Sequence, residues 1–268
     1  MAFTSVSAVV QNTQPIQHIF KVSQAYPTGG RFFSQWGIGG IPAAGAYANS
    51  INGVTLSGPT VGAIDIPNPP SGKDTYIAEV QYNLTTSGII MFADRLWHNG
   101  GMSISNTDVQ TITTPAWPSR DQNASANGHG VFIGLEIITG NGTGTPSFTI
   151  SYTNSEGTSG RTATNLTPTA TNPNLGSFFI FELEGGDRGV RSIQSFQQSS
   201  PWSAGEFCLV AFKPIAMVDP PGSGFPIKFD PITMTLPKVL PDSVLFTLFC
   251  PFNSTTITPI GGLTIAYG

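Results

Sequence analysis

The chain has 268 residues, a net charge of −4 and only 10% charged residues, where an average soluble domain has about 25%. Its 11 Lys+Arg are scattered, leaving no basic stripe to follow a phosphate backbone, so nucleic acid is not an expected partner. Plentiful apolar and aromatic residues exclude disorder, and no apolar run approaches ~18 residues, so no membrane partner is expected either.

So little charge leaves a surface of Ser, Thr, Asn, Gln, Gly and apolar groups. Interface cores are depleted in charge, so the chain reads as a subunit of an oligomer or, alternatively, as a Thr/Ser-coated monomeric sandwich. The opening MAFTSVSAVVQNTQ lacks the basic start and unbroken apolar core of a signal peptide, so synthesis and folding in a cytoplasm are expected. The Asn-x-Ser/Thr triplets at Asn83, Asn123, Asn141, Asn165 and Asn253 then lack a secretory context.

In chain order, Phe3, Val6 and Val9 mark a short alternating piece, and a second lies around residues 16–22. Residues 26–72 are dense in Gly, Pro and Ala, which break regular structure, so residues 1–72 read as an irregular N-terminal segment. Phe32, Phe33 and Trp36 fall within five positions of it. Such a cluster either covers its own sandwich or reaches as an arm onto a neighbouring subunit. Residues 73–268 read as the β-domain.

There the pattern tightens. Residues 75–84 (TYIAEVQYNL) predict a strand with Tyr76, Ala78, Val80 and Tyr82 on one side. Residues 88–97 are an apolar run too short and too β-rich to read as helix, 106–118 alternate weakly, and 119–130 form a polar loop. Residues 131–164 predict three strands of one antiparallel platform. Ile133, Leu135 and Ile137 alternate in the first, Phe148, Ile150 and Tyr152 in the second, and 161–164 return beside it. The glycines of GNGTGT (140–145) and residues 154–160 supply the turns. After a Thr/Pro/Asn-rich connection, 177–183 (SFFIFEL) is apolar on both faces and therefore central. Further strands are predicted at 189–196, 206–212, 243–250 and 263–267, with a Pro-punctuated excursion at 218–241 suited to an edge. No helical period holds over a twelve-residue window. About nine to eleven strands separated by turn signals predict an all-β antiparallel sandwich of jelly-roll type.

No constellation carries chemistry. Of His18, His98 and His129, only His98 lies near an acid in sequence, four residues after Asp94, and on a strand that spacing does not bring the two together. Glu182 and Glu184 share a strand face, as a glycosidase pair would or, with Asp187, a calcium site; pairing with Arg188 or Arg191 is the simpler reading. Asp94 and Arg95 beside Trp97 predict a local ion pair under an aromatic lid. The same trio, with Trp36, Trp117 and Trp202, offers the alternative of a sugar-stacking surface. Cys208 and Cys250 lie in apolar runs and read as buried thiols, a disulfide between strands being the alternative. Neither GNGTGT nor GIGG opens a helix, so neither is a phosphate loop. No catalytic, cofactor-binding or metal-ligating residue is assigned, and no enzyme is expected. Phe32, Phe33, Trp36 and Trp97 are the candidate assembly contacts.

Four segments taken together carry a resemblance: DRLWHNGG (94–101), TISYTNSEGTSGRTAT (149–164), GGDRGVRSI (185–193) and LPKVLPDSVLFTLF (236–249). From about Tyr76 onward the chain resembles virion structural proteins of tailed bacteriophages, of the kind that decorate heads. The resemblance implies a structural role on the capsid exterior, the major capsid protein lattice as partner, and self-association, a homotrimer being the expected form. It leaves open a place in the tail, neck or fibre instead.

Overall fold

The computed structural model describes residue 3 and residues 5–84, 86–166, 173–219 and 236–268. Most of the predicted excursion at 218–241, and part of the connection before residue 177, fall outside these. Strand makes up 44% of the chain and helix 2%, so the molecule is all-β with antiparallel sheets in a barrel- and sandwich-like arrangement.

One helix, α1 (Val6–Gln11), comes first. It is followed by β1 (Gln17–Lys21), β2 (Gln24–Tyr26), β3 (Phe32–Ser34), β4 (Gly40–Ile41), β5 (Val54–Thr55) and β6 (Thr75–Asn83). The middle of the chain gives β7 (Gly88–His98), β8 (Gln110–Thr111), β9 (Phe132–Thr139), β10 (Phe148–Asn154), β11 (Arg161–Asn165) and β12 (Ser177–Glu182). The last third gives β13 (Val190–Gln198), β14 (Glu206–Val218), β15 (Lys238–Val239), β16 (Leu245–Pro251), β17 (Thr255–Ile257) and β18 (Ile260–Tyr267).

In the large sheet the order β3-β16-β7-β14-β9-β12 closes on itself, because β3 pairs with β16 on one edge and with β12 on the other. The sheet continues from β12 through β11, β10 and β13 to β8. A second sheet has the order β15-β6-β18-β1-β4, and β2 pairs with β17. Strand alternation divides the residues of the closed ring among three cores. One face carries Met91, Ala93, Phe178, Cys208, Val210, Phe212, Phe246 and Leu248, which pack on one another inside the ring. Outward-facing Ile133, Leu135, Ile137, Phe179, Phe207 and Leu209 meet Phe148, Ile150, Ile193 and Phe196 of the extension. Elsewhere Phe33, Ile90, Phe92, Leu245 and Phe249 meet Ile19, Ile77, Val80, Leu263 and Ile265 of the five-stranded sheet. The ring is thus covered on both flanks.

Within residues 1–72, β3 closes the ring, β1 lies between β18 and β4, and β5 pairs with the end of β7. Several local expectations need correcting. Phe3, Val6 and Val9 repeat every three residues, and here they accompany a helical turn whose N-cap, Ser5, accepts from the Ala8 amide at 3.2 Å. The predicted platform also divides. β10 and β11 pair as expected, but β9 pairs with β14 and β12, so GNGTGT is a crossover between layers rather than a hairpin loop. On β6, Tyr76 and Ala78 do not share a face with Val80 and Tyr82. A bulge opposite Thr264/Ile265 shifts the register, so Ile77 turns inward instead of Ala78, as one inserted residue requires.

Candidate assembly face and the buried polar networks

The outer side of the five-stranded sheet offers unsatisfied apolar surface. Ile260, Phe20 and Ile41 stand side by side in cross-strand register, and directly paired residues share a face. Their relative exposures are 44%, 46% and 57%, and Val22, two residues past Phe20, is 52% exposed. At the opposite end of this face α1 packs Val9 against Ala78 and Ala266, leaving Val6 and Val10 exposed. Between them, Gly262 pairs with His18 and Gln81.

The sequence builds this row by several means. Gly40, at φ +130°, lets β4 approach β1 so closely that a Cβ there would overlap the Phe20 carbonyl. Beneath the row, Lys21 is only 2% exposed. Its ammonium donates to the carbonyls of Ile38 (3.0 Å) and Pro42 (2.6 Å), pinning the loop that carries Ile41. Burial lowers the Lys21 pKa to about 8. Beside Val22 opens a shallow groove of about 340 Å³ lined also by Gln24, Ala25, Ile38 and Leu175, with no charged side chain on its walls.

The ionisable groups that drew attention in the sequence are tied into internal networks. Inside the ring Arg95 donates to Glu136 at 2.6 Å, both side chains fully buried. Its Nε donates to His98 Nδ1 at 2.9 Å, and its guanidinium lies 4.7 Å from the Trp36 ring centroid. Tyr47 donates to the other Glu136 oxygen at 2.9 Å. Burial, reinforced by the adjacent Arg95 charge, pushes the His98 pKa down to about 2, so this imidazole is neutral and serves as an acceptor. Asp94, on the opposite face of β7, accepts from Arg120 at 2.9 and 3.2 Å, from the Ser243 hydroxyl and from the Val244 amide. Asp121 organises the loop after β8, accepting from the amides of Asn123, Ser125, Gly128 and His129.

Asp94 and Arg95 therefore do not pair with each other; strand alternation sends them to different partners. Asp94 and His98 stay apart, as the strand spacing predicts. Glu184 and Asp187 take Arg161, at 2.9 and 3.0 Å, as their partner, not Arg188 or Arg191, because the β10–β11 hairpin returns Arg161 beside Tyr152. Glu182 is exposed at the end of its strand. Among the described residues no group of three or more His, Cys, Asp or Glu is placed to hold a metal ion. Cys208 and Cys250 are buried free thiols.

The four aromatic residues nominated as assembly contacts are used inside the chain. Phe33, Trp36 and Trp97 are 0%, 1% and 0% exposed, and Phe32 is half-buried against the ring interior. Of the two readings the sequence left open for the Phe32, Phe33 and Trp36 cluster, the burial matches cover of its own core and not an arm onto a neighbour. Trp117 and Trp202 are likewise buried, so no indole is presented to stack on a sugar. The residues missed were Phe20, Ile41 and Ile260, whose shared face depends on pairings across some 240 residues of sequence. The alternation in residues 16–22 gave no such signal, because Ile16, Phe20 and Val22 fall on its more apolar side while Ile19 and Lys21 are the buried residues.

No known protein family, no curated protein and no solved structure matches the chain.

Proposed function

We propose that this chain is a non-enzymatic virion structural protein that decorates the outside of a phage head and stabilises its shell. The observation that carries the reading is the apolar row of Phe20, Ile41 and Ile260, displayed on the outer side of the five-stranded sheet that covers one flank of the closed ring. A rigid scaffold with an exposed apolar strip is suited to docking, since ordering costs little and desolvation of the strip drives association. The resemblance of residues 94–101, 149–164, 185–193 and 236–249 to decorating proteins supplies the partner, the repeating lattice of the major capsid protein. On a lattice, oligomers such as trimers that make several simultaneous contacts gain affinity through effective concentration, and each added apolar contact between shell subunits raises the barrier to rupture.

The deciding measurement is the copy number of this chain in purified particles, by quantitative mass spectrometry against the major shell protein. Hundreds of copies in a simple ratio to the shell subunit are expected. A handful, in multiples of three, six or twelve, would instead assign it to the neck, tail or fibre. Complete absence from particles would overturn the virion reading.

A further inference from the structure

We infer that a small cavity between Lys21 and Gln35 is the binding site of one internal water molecule, which bridges the Lys21 ammonium to the Gln35 side-chain carbonyl. The inference is independent of the virion reading above.

Three distant parts of the chain build the walls. Lys21 belongs to β1, Gln35 follows β3, and Thr247 belongs to β16, while Ile19, Ile64 and Phe246 supply hydrocarbon. Lys21 and Gln35 are each only 2% exposed. The cavity measures about 10 Å³; a single water needs about 10–15 Å³ of such space. It has room for one water and for no larger molecule.

Hydrogen-bond accounting selects the occupant. An ammonium carries three N–H donors, and Lys21 uses two of them on the carbonyls of Ile38 and Pro42. Gln35 Nε2 donates to the Tyr26 hydroxyl at 2.6 Å, whereas its buried Oε1 has no hydrogen-bond partner among the described residues. One spare donor and one spare acceptor therefore belong to the walls of the same cavity, and a buried polar group left unpaired is destabilising. Water satisfies both, accepting from Lys21 and donating to Gln35. Its second O–H has the Thr247 oxygen within the same enclosure, a side chain that also hydrogen-bonds Tyr82. Buried waters make about three such bonds. A halide would accept from Lys21 but would set its charge against the Gln35 oxygen, and a metal cation would be repelled by the ammonium.

The water completes a polar chain through the interior. It runs from Lys21 through Gln35 to Tyr26, which packs edge-on against Phe33 and Phe249. The Gln35 amide also donates to the Thr247 carbonyl at 2.9 Å. The edge of the five-stranded sheet beneath Phe20 and Ile41 is thereby tied to β16 of the ring.

The test is high-resolution diffraction from crystals of the full chain, with a matched set soaked in sodium bromide. The expected result is one peak within about 2.5–3.2 Å of both Lys21 Nζ and Gln35 Oε1, without an anomalous bromide signal. In solution, the Gln35 side-chain amide protons should show a nuclear Overhauser effect to water with the sign of a long-lived site. Gln35→Met keeps the side-chain length and removes the acceptor, and it should lose the peak; Lys21→Met tests the other end. A wild-type site without density overturns the inference, a bromide signal reassigns the site to a halide, and a peak unchanged in Gln35→Met refutes the bridge. The two wild-type measurements decide the matter even if neither variant folds.

Discussion

Arg95 and Glu136 meet at 2.6 Å inside a closed ring of six strands, and neither side chain reaches solvent. Taking both charges out of water costs several kcal/mol per ion, which their attraction offsets only with further hydrogen bonds. Those are present: Tyr47 donates to the second carboxylate oxygen and His98 accepts from the guanidinium. Removing one partner strands the other. Glu136→Ala is expected to lower stability by about 3–5 kcal/mol, read from urea denaturation. Arg95→Met combined with Glu136→Leu should cost less than either single change; a double variant no better than Glu136→Ala would show that the pair does not act as a unit.

His98 makes the protein acid-sensitive. Its folded-state pKa of about 2 lies below the ordinary 6.5, so as pH falls the unfolded chain takes up the proton first. The stabilising contribution is complete above about pH 6.5 and is lost below it, at up to ~1.4 kcal/mol per pH unit. His98→Gln, whose side-chain carbonyl can accept from Arg95 Nε, should flatten the stability profile between roughly pH 6 and 4.5 by about that slope. An unchanged acid limb in urea titrations would refute this.

Gly134 on β9 faces the ring interior, where a Cβ would overlap the ring of Phe178. Phe178 itself packs edge-on against Phe212 at 5.3 Å, leaving it little room to retreat. Gly134→Ala should therefore cost about 1–3 kcal/mol through overpacking, and Gly134→Ala with Phe178→Leu should recover part of it. Calorimetric melting of the three variants checks the coupling.

Both thiols are shielded, Cys208 at 0% and Cys250 at 7% exposure, and burial raises the pKa of each. Native protein should resist an aromatic disulfide reagent at neutral pH and release two equivalents only in denaturant. Any slow native reaction should begin at Cys250; rapid labelling of Cys208 would contradict the burial of the Arg95 network.

Local pattern made much of the fold legible. Phe148, Ile150 and Tyr152 alternate because one face of β10 is buried, and the hairpin to β11 follows from Gly157 and Gly160, both at positive φ. Pairing between distant segments was not legible. Nothing near Ile133 announces that β9 lies beside β14 rather than β10, and the bulge that turns Ile77 inward is set by β18, almost 190 residues away. The exposed row of Phe20, Ile41 and Ile260 was hidden for the same reason. The nominated aromatics were conspicuous in composition, but large aromatics in a Gly-rich segment are also what a core needs at its margin. Trp36 serves there as a lid over Arg95.

The ring is closed by β3, three residues long, which must find β16 more than 200 positions later. β1 likewise waits for β18. A ribosome therefore delivers nearly the whole chain before either sheet can be completed, and until then the nascent protein carries unpaired strand edges and bare Phe32, Phe33 and Trp36. Such a topology folds slowly and exposes sticky intermediates. Yield in a cell is then expected to rise with chaperone supply and with lower temperature during synthesis.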